Sequence, residues 1–172
     1  GEPSISQTGN SIVYTSQENR QHFMGHMILW GLKEPVMPWC SDGLGEAEIG
    51  GTMETTLADW ADKAHAQGGY VINPHFPNPN GEPAALVATG RLDGIEMIRK
   101  NPFNHSEYYR YLNCGYRLPL VGGTDKMSSD VPVGLYRTYA RIGEDEFTYD
   151  NWCKAVAAGR TILSGGPIIH LS

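Results

Sequence analysis

The chain has 172 residues and a mass of 18.9 kDa, enough for one domain with a real hydrophobic core. Its 21 glycines and 11 prolines exceed average usage and its charged fraction of 19 % falls below it, but glycine has no period, which excludes collagen-like and low-complexity chains. A net charge of −6 argues against a nucleic-acid or anionic-membrane surface, and no apolar run reaches the roughly 18 residues of a membrane span.

The opening Gly1-Glu2-Pro3-Ser4 has neither a basic nor an apolar leader region, so no signal peptide is expected in this chain. Ser11 to Thr15 predicts a strand, and His26 to Leu32 a second, apolar throughout. Residues 33–54 are rich in proline and glycine and predict a long, functional loop. From Thr56 the pattern turns helical: Leu57, Trp60, Ala61 and Ala64 share one face, Thr56 and Asp59 form a capping box, and Gly68-Gly69 ends the helix. Tyr70 to Pro74 predicts a strand running into His75, and residues 76–83 a second loop. Ala84 to Ala88 predicts a short helix, Gly94 to Ile98 a strand, Ser106 to Leu112 a helix, and Leu118 to Gly123 a strand that delivers Thr124-Asp125. Residues 144–158 end in a helix with Trp152, Ala155 and Val156 inward, and Thr161 to Leu163 with Ile168-Ile169 close the chain as one or two strands. Strands alternating with helices imply βαβ units and a mainly parallel sheet, whose ligands bind at the strands' carboxyl ends.

Those ends hold a consistent set of side chains. Glu18 follows the first strand, His26 opens the second, His75 follows the third, and Asp125 ends the strand at Leu118. Two imidazoles and two carboxylates are ligands suited to Zn²⁺, Mn²⁺ or Fe²⁺. Each taken alone has a plain structural role, a hydrogen-bonded histidine or an Asx turn; the recurrence at equivalent positions is what points to a metal. His22 lies four residues from both Glu18 and His26, where a substrate contact would sit. His65, His105 and His170 fall outside this pattern. The three cysteines, Cys40, Cys114 and Cys153, have no C-x-x-C spacing and indicate neither a disulfide framework nor a zinc ribbon. Walker, G-x-S-x-G and G-x-G-x-x-G patterns are absent, which demotes phosphate-loop, serine-nucleophile and dinucleotide chemistry.

Gln17-Glu18 followed by Gly25-His26 and an apolar strand resembles the second motif of the PHP (polymerase and histidinol phosphatase) metallohydrolases. Asn73-Pro74-His75-Phe76-Pro77 resembles their third motif and Gly122-Gly123-Thr124-Asp125 their fourth; Gly159-Arg160-Thr161 and Gly166-Pro167 are similar to the carbaryl-hydrolase-like branch. The resemblance implies an α/β fold, a distorted (β/α)7 TIM-like barrel with a multinuclear metal centre. Glu18 would bridge two metals, His26 and His75 would complete one, and Asp125 would belong to its neighbour. The family's first motif, His-x-His, is absent from this chain, and Met127 stands where the fourth motif has a second ligand. The expected fold is therefore a single, N-terminally incomplete barrel domain spanning residues 1–172, lacking its first βα unit or units, with ligands for one metal and half of a second. A homo-oligomer would cover its unpaired strands.

The implied activity is hydrolysis of a small-molecule ester, carbamate or phosphoester by a metal-activated water, with Arg20 and Lys126, each beside a carboxylate, holding an anionic group. Pairing with acidic neighbours is the plainer role for both cations. Trp39, Phe76 and Tyr116 are candidate pocket aromatics. Two other functions remain open at this level: a non-catalytic metal- or ligand-binding module of the same barrel, and a sugar- or anion-binding domain whose histidines only hydrogen-bond.

Overall fold

The computed structural model describes residues 5–21, 24–41, 55–76, 82–98 and 105–169. The chain opens on a hairpin, β1 (Ile5–Thr8) and β2 (Ser11–Tyr14), turned through Gly9-Asn10 with Gly9 at φ 56°. Then come β3 (Gln17–Gln21), β4 (Gly25–Trp30) and β5 (Cys40–Ser41), followed by α1 (Leu57–Ala66). Next are β6 (Tyr70–Asn73), α2 (Pro83–Ala88), β7 (Gly94–Ile98), α3 (His105–Asn113) and β8 (Leu120–Gly122). Finally β9 (Arg137–Ala140), α4 (Tyr149–Ala157) and β10 (Thr161–Ser164), with β9 and β10 paired antiparallel, complete the order.

The central sheet has six strands in the order β5-β3-β4-β6-β7-β8. Pairs β3–β4 and β4–β6 are antiparallel; β5–β3, β6–β7 and β7–β8 are parallel. This corrects two expectations. The fold is not a (β/α)7 barrel, complete or partial: among the described residues the sheet is mixed and open, with β5 and β8 at its two edges. Nor is the sheet mainly parallel on the β3–β4 side, where three residues separate the strands and only an antiparallel return is possible, since a parallel crossover takes a dozen or more. The parallel pattern holds where α2 and α3 cross between β6, β7 and β8, and in the short β3–β5 pair at the other edge.

Helices cover both faces. On one, Met27 and Leu29 of β4, Val71 of β6 and Ile95 and Met97 of β7 pack with Leu57, Trp60, Ala61 and Ala64 of α1 and Leu86 and Val87 of α2 in the main core. The stripe on α1 falls where the sequence places it, and the capping box is present: Asp59 N–H donates to Thr56 Oγ1 at 3.2 Å, and Thr56 N–H to Asp59 Oδ2 at 2.8 Å. On the opposite face Ile28, Trp30, Ile72 and Val121 pack with Trp152 and Val156 of α4. The antiparallel β9–β10 pair is tied to β8 by threonines: Thr138 Oγ1 accepts from Gly122 N–H and donates to Gly122 O, both at 2.8 Å, and Thr161 Oγ1 donates to Leu120 O. Ile168-Ile169 forms no strand.

Candidate metal centre

Residues directly opposite on neighbouring strands share a face. Arg20 lies across from His26, Glu18 from Ile28, Ile28 from Ile72, and Glu96 from Val121, so all project from the α4 side of the sheet. Because β4 runs against β6, His26 at its amino end meets the carboxyl ends of β6 and β7. Glu18 lies within β3 rather than after a strand, as the sequence reading has it. Its strand is polar throughout and is held by its neighbours: Gln17 and Asn19 amides bind the backbone of Val36, and Arg20 N–H donates to Trp39 O. Trp39, predicted as a pocket aromatic, is exposed beside the site and donates its indole N–H to Glu18 O at 2.7 Å. Phe76 is buried in the main core instead.

Glu18, His26 and His75 each turn one ligand atom inward, all within 4.8 Å of one another. His26 Nδ1 stands 3.2 Å from Glu18 Oε1 and 3.2 Å from His75 Nε2. A ring nitrogen carries at most one hydrogen, so Nδ1 can bond one of these partners as donor or the other as acceptor. A cation with ligand distances of about 2.0–2.1 Å spaces tetrahedral ligand atoms about 3.3 Å apart, close to both separations. The donor set, one carboxylate oxygen and two imidazole nitrogens, is borderline in character and fits a divalent transition metal. The His26 hydrogen bond, joined by the charges of Arg20 and His26, holds the Glu18 carboxyl below its ordinary range against the opposing effect of burial. Arg20 Nη2 lies 3.4 Å from Glu18 Oε2.

Asp125 does not join this group of three. It lies on the loop after β8, and it and His75 are the two non-glycine residues with positive φ among those described, at 46° and 39°. Such backbone costs on the order of 1–3 kcal/mol per residue and persists where surrounding structure imposes it, often at functional sites. Lys126 Nζ donates to Ser128 O and Val131 O at 2.6 and 2.5 Å, and so closes its own loop. His22 and His170 lie outside the described residues. His65 Nε2 pairs with Asp93 Oδ2 at 2.8 Å, where Asp93 also accepts from Val71 N–H. Sequence reasoning passed over Glu96, which is 6 % exposed and accepts from His75 N–H at 2.8 Å. The available signal was a single acidic residue inside the apolar run Gly94-Ile95-Glu96-Met97-Ile98.

No family model and no curated protein matches the chain. Among solved structures it is similar to a two-domain protein of Bacteroides vulgatus described as containing a predicted PHP-like metal-dependent phosphoesterase. The TM-score is 0.53 at 15 % identity, over 87 % of this chain and 44 % of that one. The chain thus spans less than half of that protein's length, and the likeness is one of fold. It agrees in kind with the motif resemblance, and it does not reach the carbaryl-hydrolase-like branch.

Proposed function

We propose that the protein is a PHP-like metal-dependent hydrolase in which Glu18, His26 and His75 hold a divalent cation, with phosphoesters as its substrates ahead of other esters and carbamates. The observation that carries this is the convergence of three lone-pair donors on one point, two of the gaps being 3.2 Å. The fold likeness to a phosphoesterase-containing protein supports it, and Gly159-Arg160-Thr161 with Gly166-Pro167 supports the carbaryl-hydrolase-like branch.

When bound, a divalent metal polarises a phosphoryl or carbonyl oxygen and lowers the pKa of a coordinated water towards 7. The chain's own residues do the rest. The carboxylate of Glu18, kept ionised well below neutral pH by His26 and Arg20, is ready to hold the cation without first losing a proton. Arg20, about two-thirds buried and beside Glu18, presents a planar, permanently charged fork suited to a phosphate oxygen. Asp125, on the neighbouring loop, is proposed for a second cation. Trp39, exposed and bonded to the Glu18 carbonyl, is proposed for the wall of the substrate pocket.

The test is to strip the protein with chelator, restore Mn²⁺, Zn²⁺ or Co²⁺ singly, and assay chromogenic phosphomonoesters, phosphodiesters, carboxyl esters and carbamates. Metal-dependent phosphoester turnover that Glu18→Gln removes is the expected result. Stoichiometric metal uptake with no turnover on any substrate would identify a non-catalytic metal-binding module.

A further inference from the structure

Glu96 presents a buried carboxylate, and burying that charge is costly unless polar groups compensate it. Its two oxygens are turned to two different loops. Oε2 accepts from the His75 backbone N–H at 2.8 Å, and the Glu96 carbonyl accepts from Phe76 N–H at 2.7 Å, so two successive amides after β6 are fixed to one residue of β7. Oε1 lies where a side chain on Gly123 would begin: a Cβ there would stand 2.0 Å from Oε1 and 3.2 Å from Cδ. Gly123 has no positive φ, so a side chain there would meet the Glu96 carboxylate rather than a backbone restriction. The three nearest atoms to that Cβ, outside the adjoining residues of the chain, all belong to Glu96. The pairing of β7 with β8 shifts register between Glu96 and Ile98, an irregularity of the kind that re-aims a side chain near a site. The two non-glycine residues of positive φ, His75 and Asp125, lie on these two loops, His75 bonded to the carboxylate and Asp125 two residues after Gly123.

We infer that Glu96 is a positioning residue, whose carboxylate sets the backbone of His75 through one oxygen and seats the Gly123–Asp125 loop against the other. It orients a proposed ligand through the main chain, touches no substrate, and couples the β6 and β8 loops. This rests on the reading of His75 as a metal ligand.

The test combines Glu96→Gln, Glu96→Ala, Gly123→Ala and the Glu96→Ala/Gly123→Ala double variant, with Co²⁺ as the probe. Three quantities are read: Co²⁺ affinity from its visible absorption, the His75 amide resonance of metal-free protein, and the metal-free melting temperature. Glu96→Ala is expected to weaken Co²⁺ binding by about 10–100-fold, the usual cost of removing a residue that supports a ligand, and to move the His75 amide upfield. Glu96→Gln keeps an acceptor of the same shape and restores most of both. Gly123→Ala should weaken binding in the wild-type background, because the new methyl displaces the carboxylate, and have little further effect once Glu96 is alanine. Additive losses, or a lower melting temperature with Co²⁺ affinity and the His75 amide unchanged in Glu96→Ala, would overturn the inference. If the wild-type protein takes up no Co²⁺, the metal reading fails by itself, since the His75 amide of metal-free protein still reports on Glu96.

Discussion

The two faces of β4 place opposite chemistry one residue apart. Met27 and Leu29 are fully buried against α1, in a face made of hydrocarbon and held by close packing. His26 projects from the other side, toward a carboxylate, an imidazole and the buried Glu96 region. Strand alternation brings this about, since successive side chains of a strand point to opposite faces. The α1 side carries the main core, while the α4 side carries the polar cluster at the amino end of β4, beside the smaller apolar cluster of Ile28, Trp30 and Ile72. The two should therefore respond separately to substitution.

Trp60→Ala attacks the packed face alone. Removing this fully buried ring should cost about 3–5 kcal/mol in urea unfolding, with the metal stoichiometry of the remaining folded protein unchanged. His26→Ala is the mirror experiment: Zn²⁺ affinity by titration should fall more than the roughly 100-fold upper cost of losing a supporting residue, while the urea midpoint moves little. A shared loss in either variant would break the separation of the faces. Thr56→Ala opens the capping box at the start of α1 and should cost about 1 kcal/mol without altering metal affinity.

The smallest effect concerns acid. In metal-free protein the Glu18 carboxyl sits below its ordinary value of 4.5, so its contribution to stability is full above that value and disappears as the pH falls through the folded-state pKa. Glu18→Gln should therefore show a slightly smaller drop in urea midpoint between pH 7 and pH 3 than the wild type. The difference is modest because the side chain is 37 % exposed and its ion pair partly screened.

The elements most legible in the sequence were those with local, self-contained signals. Thr56, Asp59 and the apolar stripe of α1 specify a helix without reference to anything distant, and Tyr70 to Asn73 reads as a buried strand from its apolar run. By contrast β3 is Gln-Glu-Asn-Arg-Gln, and its strand identity comes from tertiary partners, the Val36 and Trp39 backbone and β4. The first hairpin does have a local signal, Gly9-Asn10 between Thr8 and Ser11, but its first strand, Ile-Ser-Gln-Thr, holds no apolar run. The barrel is what the PHP resemblance implies, and the alternation of strands and helices beside it is a pattern that an open mixed sheet shares.

Within the candidate site, residue type together with position at strand ends singles out Glu18, His26, His75 and Asp125, and the fold gathers the first three. Asp125 and Lys126 share one loop next to the site, yet chemistry in sequence carries no distances, and Lys126 instead bonds carbonyls of its own loop. Glu96 was hidden for a related reason. Its importance lies in which backbone amide and which glycine it faces across strands, and neither is adjacent in sequence.

The most direct measurement is anomalous diffraction at the zinc edge from crystals of the chelator-treated protein soaked in Zn²⁺. The account predicts a strong peak about 2.0–2.2 Å from Glu18 Oε1, His26 Nδ1 and His75 Nε2. No peak there, or a peak held by other residues with Glu18 and His26 still hydrogen-bonded to each other, would contradict it.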